Sequence, residues 1–291
     1  MTIKRLSTTL TSLCWLLLLY ALPARSVLFY STGDPSFNTN APGTRALTNS
    51  GWQFVGAWAG FSGTVISSNC FLTAKHVGGA IGAPFEFQGS NYLTTASYDD
   101  PTGDLRIWRV SGQFPIYAPL YTKRNERSKN LVVIGRGTQR GAEFRLNGKL
   151  KGWLWGPGDD VQRWGVNRVQ SVVDGGAGLG ELLRATFVAA GGRNEAALSA
   201  GDSGGPVFIK DGKFYKLAGI NYAVDGPYST TNSGPGFDAS LFDRRGLYQE
   251  TSADTWTLIP GRGGKLPGGF YATRVSSRVE WINGTLSQQT P

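Results

Sequence analysis

Gly201-Asp202-Ser203-Gly204-Gly205-Pro206 leads straight into the apolar run Val207-Phe208-Ile209. A serine hydroxyl is a weak nucleophile by itself. It needs a neighbouring base to take its proton and donors to hold the oxyanion formed on attack. Glycines beside the serine let the backbone turn sharply and bring its N–H groups close to a substrate. The same six residues also read as an ordinary turn, in a chain that contains 41 glycines. The choice between the two readings depends on whether the chain also supplies a base and an acid to orient it.

The chain has one histidine, His76, so a Ser–His mechanism has to use it. By itself a lone histidine is most simply a structural residue. Its surroundings say more. Residues 61–77, FSGTVISSNCFLTAKHV, resemble the "GSLIS…VLTAAHC" segment of the trypsin/chymotrypsin-like serine proteases, and residues 201–208, GDSGGPVF, resemble the nucleophile segment of that family. The acid is sought between them. Asp104-Leu105-Arg106-Ile107-Trp108-Arg109-Val110 begins with a carboxylate, continues with strand-like alternation, and is similar to the family's "D-(I/L)-A-L-(L/I)" segment. It stands 28 positions after His76, a spacing nearer the compact bacterial members. Asp99 and Asp100 compete for the role, but they lie in a turn where Pro101 restricts Asp100. The resulting order, His–Asp–Ser, is this family's order, whereas unrelated serine hydrolases use others. A further stretch, 270–283, looks like the family's "G-V-Y-T-R-V-S…V-x-W-I" ending.

Helical periodicity is almost absent before that ending. Strand candidates of the first half are 52–58, 64–66, 71–74, 85–87, 92–96, 105–110 and 116–120. Those of the second are 131–134, 143–146, 150–154, 166–173, 182–189, 207–209, 215–222 and 269–274. Many short strands with turn signals between them point to an all-β sandwich or barrel. The resemblance spans about 51–283 and implies two packed six-stranded antiparallel β-barrels with a C-terminal α-helix. It puts the first barrel at about 51–120, carrying His76 and Asp104, and the second at about 130–275, carrying Ser203. The helix follows at about 275–286, with Val275, Val279 and Ile282 on one face and Ser276 or Ser277 as cap. Residues 27–50, rich in Ser, Thr, Asn, Gly and Pro, read as an irregular arm.

Residues 1–26 carry Lys4 and Arg5, an apolar stretch from Leu13 to Leu22 and then Pro23-Ala24-Arg25-Ser26, the layout of a signal peptide with cleavage after Ala24 or Ser26. Its apolar core is too short to span a bilayer as a helix. The expectation is therefore a secreted or periplasmic protein with no stable membrane insertion after signal removal. Cys14 leaves with the leader. The remaining chain holds a single cysteine, Cys70, and can form no internal disulfide. This absence, with Val77 where the family's "TAAHC" has Cys, points to a bacterial-type member. The whole chain carries a net charge of +9, and without Lys4, Arg5 and Arg25 it has 26 basic against 20 acidic residues, a net +6. The basic residues are scattered, so no nucleic-acid partner is expected. A monomer without cofactor or metal is expected.

The resemblance implies a serine endopeptidase in which Ser203 attacks a peptide carbonyl, His76 moves the proton and Asp104 orients His76, with an acyl-enzyme between the two half-reactions. Backbone N–H groups of Gly201 and Ser203 would form the oxyanion hole. Rival readings are a catalytically silent protease-like binding protein and an esterase using the same triad. In trypsin-like enzymes the residue matching Asp202 is neutralised by a new N-terminus after zymogen cleavage. No "(R/K)-I-V-G-G" precedes Trp52, so Asp202 is expected to pair with an internal Arg or Lys. Six residues before the nucleophile, where trypsins carry the Asp that binds Lys or Arg, stands Ala197. A small or apolar side chain before the cut is expected. Asn221, Tyr222 and Ala223 match the family's pocket-wall triplet, with a one-residue ambiguity in register. The enlarged region 224–268 is expected to overhang the pocket.

Overall fold

Runs rich in Val, Ile, Phe and Trp, cut by Gly, Pro, Asn and Asp, become strands in the computed structural model, which describes residues 27–288. The expected leader lies outside the described residues. A two-residue strand, β1 (Leu28–Phe29), comes first. Six strands then close an antiparallel barrel: β2 (Val55–Trp58), β3 (Phe61–Val65), β4 (Cys70–Ala74), β5 (Pro84–Phe87), β6 (Ser90–Asp99) and β7 (Leu105–Val110), in the order β2-β3-β4-β7-β6-β5. The second half begins with β8 (Asn130–Gly135), the hairpin β9 (Thr138–Leu146) and β10 (Lys149–Gly158), then β11 (Arg163–Asp174) and β12 (Glu181–Thr186). After β13 (Ala196–Ala197) come β14 (Pro206–Asp211) and β15 (Phe214–Val224). Four short strands follow: β16 (Tyr228–Ser229), β17 (Ala239–Leu241), β18 (Tyr248–Ser252) and β19 (Thr255–Leu258). The chain then enters β20 (Gly269–Arg274) and helix α1 (Val279–Ser287). The second barrel closes in the order β11-β12-β20-β15-β14-β8.

Alternation along a strand decides what each barrel buries and how the two meet. In β4, Phe71 points into the first barrel with Trp58, Phe85 and Trp108, while Cys70, Leu72 and Ala74 face a second cluster. In β8 and β14, Leu131, Val133, Val207 and Ile209 fill the second barrel, while Val132, Ile134 and Phe208 face that same shared cluster. The seam between the barrels is therefore a layer of core, which is why these strands read as unbroken apolar runs. Phe71 and Phe85 stack with ring centroids 3.9 Å apart. Gly63 makes room for them, since a Cβ there would lie 2.6 Å from the Phe71 ring.

Several expectations are corrected. Residues 116–120 form no strand. Pro115 precedes the run and Pro119 lies within it, each removing a ladder donor, and Leu120 makes only an isolated bridge to Leu217. The hairpin β9–β10 alternates like barrel strands but joins β17 in a separate three-stranded sheet. The arm is not wholly irregular: Val27, Leu28 and Phe29 are buried, and β1 pairs with β13. The last helix starts four residues late, after a 3-10 turn at Val275–Ser277. Neither serine caps it, because Ser276 Oγ donates to Glu126 and Ser277 Oγ to the carbonyl of Arg274.

Glu126 explains that diversion. It lies fully buried in the connection between the barrels and accepts two hydrogen bonds from Arg274, at 3.0 and 2.6 Å. Glu126→Ala strands the buried Arg274 guanidinium with only Glu181, at 3.1 Å, as counter-charge. A loss of about 3–5 kcal/mol in unfolding free energy is expected by chemical denaturation.

Candidate active site

Neighbouring strand ends bring the acid to the base. Ala74 at the end of β4 pairs with Leu105 at the start of β7, so the 3-10 turn Lys75–Val77 and Asp104 emerge side by side. Asp104 is buried, accepts the His76 backbone N–H through Oδ1 at 3.0 Å, and holds His76 Nδ1 through Oδ2 at 2.6 Å. His76 Nε2 lies 2.8 Å from Ser203 Oγ. The two competing acids are committed elsewhere. Asp99 accepts both Nε and Nη2 of Arg106, the latter at 2.9 Å. Asp100 accepts the Thr102 N–H at 2.9 Å and lies 3.1 Å from Arg278 Nε.

Ser203 reaches the first barrel because the residue after it has no side chain. Gly204 has φ +76°, and a Cβ there would sit 2.3 Å from Thr73 Oγ1 and 2.5 Å from the Ser62 carbonyl, both on the first barrel. Gly204 N–H donates to the Asn221 carbonyl at 3.0 Å. The Asn221 side chain donates to the carbonyls of Ile134 and Asp202, at 3.0 and 3.1 Å, so this residue knits the loop to two strands of the second barrel. The N–H groups of Gly201 and Ser203 donate to no acceptor among the described residues.

Asp202 does not pair with an Arg or Lys as expected. Its Oδ1 accepts the N–H groups of Val27 at 3.1 Å and Gly137 at 2.7 Å, and its Oδ2 accepts the N–H of Ser199 at 2.8 Å. Gly135 and Gly137 leave the space it fills, since a Cβ at either would lie within 2.5 Å of a carboxylate oxygen. Burial pushes the carboxyl up to about 7, against the pull of the Ser199 and Val27 hydrogen bonds and of the Arg163 charge. Arg163 itself is engaged with Asp159, at 2.7 Å, and with the Pro35 carbonyl.

A pocket of about 260 Å³ opens beside Ser203, lined among others by Trp155, Leu198, Ala200, Tyr222 and Val224. Tyr222 meets the His76 ring edge to face, with centroids 5.7 Å apart. Asn221 and Ala223 also line the pocket. The β-strand pairing slips between these two residues, a bulge that realises the one-residue register ambiguity of the sequence. Ala197 stands behind the pocket, packed with Trp153, Phe187 and Phe242, and its neighbour Leu198 forms the wall. None of residues 225–268 lines the pocket. Their contribution is indirect: β17 pairs with β10, and Ser240 Oγ accepts the indole N–H of Trp155 at 3.2 Å. Trp155 escaped the sequence reading because it sits in a hairpin indistinguishable from barrel strands.

Cys70 is buried in β4, where burial pushes its thiol up. Among the described residues no group of three His, Cys, Asp or Glu side chains is placed to hold a metal ion, and no helix is long and apolar enough to cross a membrane.

Two barrels with a serine, histidine and aspartate gathered at their junction are the arrangement of a trypsin-like serine protease fold. A family model described as Trypsin matches residues 33–243, and the chain belongs to that family. It is similar to a mutant of human heparin binding protein, at 14% identity over 84% of this chain and 95% of that one, with a TM-score of 0.49. It is similar also to neuropsin, a serine protease expressed in the limbic system of mouse brain, at 14% identity over 81% of this chain and 95% of that one, with a TM-score of 0.48. No curated protein sequence matches it.

The raised Asp202 pKa sets a sign for stability against pH. A carboxyl that titrates near 7 when folded and near 3.8 when unfolded favours folding fully below the unfolded value, and that contribution is lost as pH rises through about 7. For the chain with its Ser26–Val27 bond intact, a loss on the order of 4 kcal/mol is expected over that range. Denaturation curves of Asp202→Asn, which cannot ionise, should lack that part of the slope.

Proposed function

We propose that this chain is an exported serine endopeptidase that hydrolyses peptide bonds through Ser203, His76 and Asp104. The observation that carries the reading is the unbroken hydrogen-bonded line from Asp104 to His76 to Ser203, at 2.6 and 2.8 Å, ending beside an open pocket. Ser203 Oγ adds to the scissile carbonyl while His76 Nε2 takes its proton. Asp104 holds Nδ1–H, fixing the tautomer and stabilising the imidazolium. The unoccupied N–H groups of Gly201 and Ser203 receive the oxyanion, worth about 3 kcal/mol of barrier per donor. His76 then protonates the leaving amine, and water releases the acyl group by the reverse sequence. Substrates are proteins or peptides, and a monomer suffices, because all three groups come from one chain. Trp155, Leu198, Ala200, Tyr222, Ala223 and Val224 give the pocket an apolar wall, and the one carboxylate of its lining, Asp202, is buried with its oxygens held by the N–H groups of Val27, Gly137 and Ser199. An apolar residue before the cut follows, in place of Lys or Arg.

A serine-directed phosphonylating reagent should label Ser203, with labelling and peptide hydrolysis both lost in His76→Ala, the latter by about 10³-fold or more. Absence of label on the folded chain would favour the silent binding protein instead. Cleavage of a peptide library, with an apolar residue before the cut, separates a peptidase from an esterase.

The reading extends to processing. Removal of residues 1–26 after Ser26 makes Val27 N an α-ammonium 3.1 Å from the buried Asp202 carboxylate, turning an amide contact into an ion pair. Cleavage after Ala24 puts no charge there. The leader cut would then complete the site without a second cleavage. N-terminal sequencing of the exported protein should begin at Val27. A chain retaining Ser26 should hydrolyse peptides at least tenfold more slowly and keep the Asp202-dependent pH slope that the Val27 form loses. Equal activity of the two forms would sink this part of the proposal.

A further inference from the structure

A cavity of about 800 Å³, larger than the pocket beside Ser203, opens on the outer face of the second barrel. It lies between the arm at Ala46-Leu47, the β14–β15 hairpin at Lys210 and Tyr215, and the loop from Val188 to Glu195. It shares no lining residue with the pocket at Ser203. Its size falls in the range of small-molecule sites, and Val166 and Val188, the valines of the lining that are not sealed in the barrel core, give it an apolar wall.

We propose that this cavity is a second binding site, taking an ammonium or guanidinium group on an apolar stem, such as a lysine or arginine side chain of a peptide, with Glu195 as its counter-charge. Glu195 lines the cavity yet is only 4% exposed, and it makes no ion pair among the described residues. Its Oε1 accepts the Val188 N–H at 3.0 Å and the Asn167 side-chain amide at 3.2 Å, while Oε2 accepts no hydrogen bond from the described residues. Ionising a side chain this buried, with no ion pair among the described residues and Oε2 left to whatever fills the cavity, is costly, and burial pushes this carboxyl up to about 7. An incoming cation offsets that cost, and its stem replaces water against the valine walls.

The two basic residues of the lining do not already fill the role. Arg168 Nε donates to the Ser128 carbonyl at 2.8 Å, and Lys210 Nζ lies 5.7 Å over the Tyr215 ring. Both are exposed, where they favour a carbonyl or carboxylate at the outer end of the ligand. A purely structural Glu195, closing the loop through Val188, needs only an acceptor at Oε1. Glu195→Gln keeps that acceptor and removes only the charge.

The test is titration of the purified chain at pH 8 with hexylamine, hexanol and hexanoate, followed by calorimetry and by NMR shifts of the valine methyl groups. Hexylamine should bind at least tenfold more tightly than hexanol, and Glu195→Gln should reduce it to the hexanol level, while peptide hydrolysis stays unchanged. Hexylamine binding no better than hexanol, hexanoate binding best, or full hexylamine affinity in Glu195→Gln overturns the proposal. Should that variant not fold, Val188→Trp fills the cavity with Glu195 in place. Loss of hexylamine binding then supports the site, and unchanged binding overturns it. Ser203→Ala, tested alongside, should leave hexylamine affinity untouched, so the outcome does not depend on the reading of the serine.

Discussion

The buried Asp202 carboxylate gathers the active end of the second barrel around itself. Among the described residues no cation reaches it by hydrogen bond, and N–H groups from three separate segments hold it: Val27 in the arm, Gly137 after β8 and Ser199 just before the Ser203 turn. Each bond costs its segment conformational freedom, and together they fix where the loop 198–205 can run. The aim of Ser203 at His76 is a consequence of that fixed path, as are the N–H groups of Gly201 and Ser203, which meet no acceptor among the described residues. Two glycines, 135 and 137, exist as such because the carboxylate occupies the space their side chains would need.

The second constraint is the contact between barrels. Gly204 touches Thr73 and Ser62 so closely that any side chain would push the barrels apart, and Thr73 lies on β4, the strand that delivers His76. The line of hydrogen bonds from Asp104 to Ser203 thus spans a seam whose width is set by packing. Glu126 and Arg274 fasten the same seam from behind, linking the inter-barrel connection to the end of β20. The additional sheet of β9, β10 and β17 has a different task. It holds Trp155 against the pocket through Ser240, and its Trp153 packs with Tyr30 of the arm and Phe242 just after β17 in the aromatic cluster behind Ala197.

Much of this was legible in the chain itself. The motif around Ser203, the lone His76 and the strand beginning after Asp104 are local patterns, and local patterns survive in sequence. The two-barrel architecture followed from them by resemblance, and the apolar runs at 71–74, 131–134 and 207–209 located strands buried on both faces. Boundaries were less legible where a residue's partner is remote. Ser276 looks like a helix cap until Glu126, 150 positions away, takes its hydroxyl. Residues 116–120 look like a strand until their prolines are counted as missing donors.

Composition and order of residues determined the strand-rich class and the candidate base, acid and nucleophile, because each depends on chemistry carried by a few neighbouring side chains. Only the tertiary structure decided which donors hold Asp202, which residues line the pocket and where the hairpin β9–β10 belongs. Those answers depend on through-space pairings between segments tens to hundreds of positions apart. Val27 and Asp202, separated by 175 positions and 3.1 Å, mark that difference most sharply. A buried carboxylate takes whichever donors the packed chain brings to it, and nothing in the local sequence of either residue names the other.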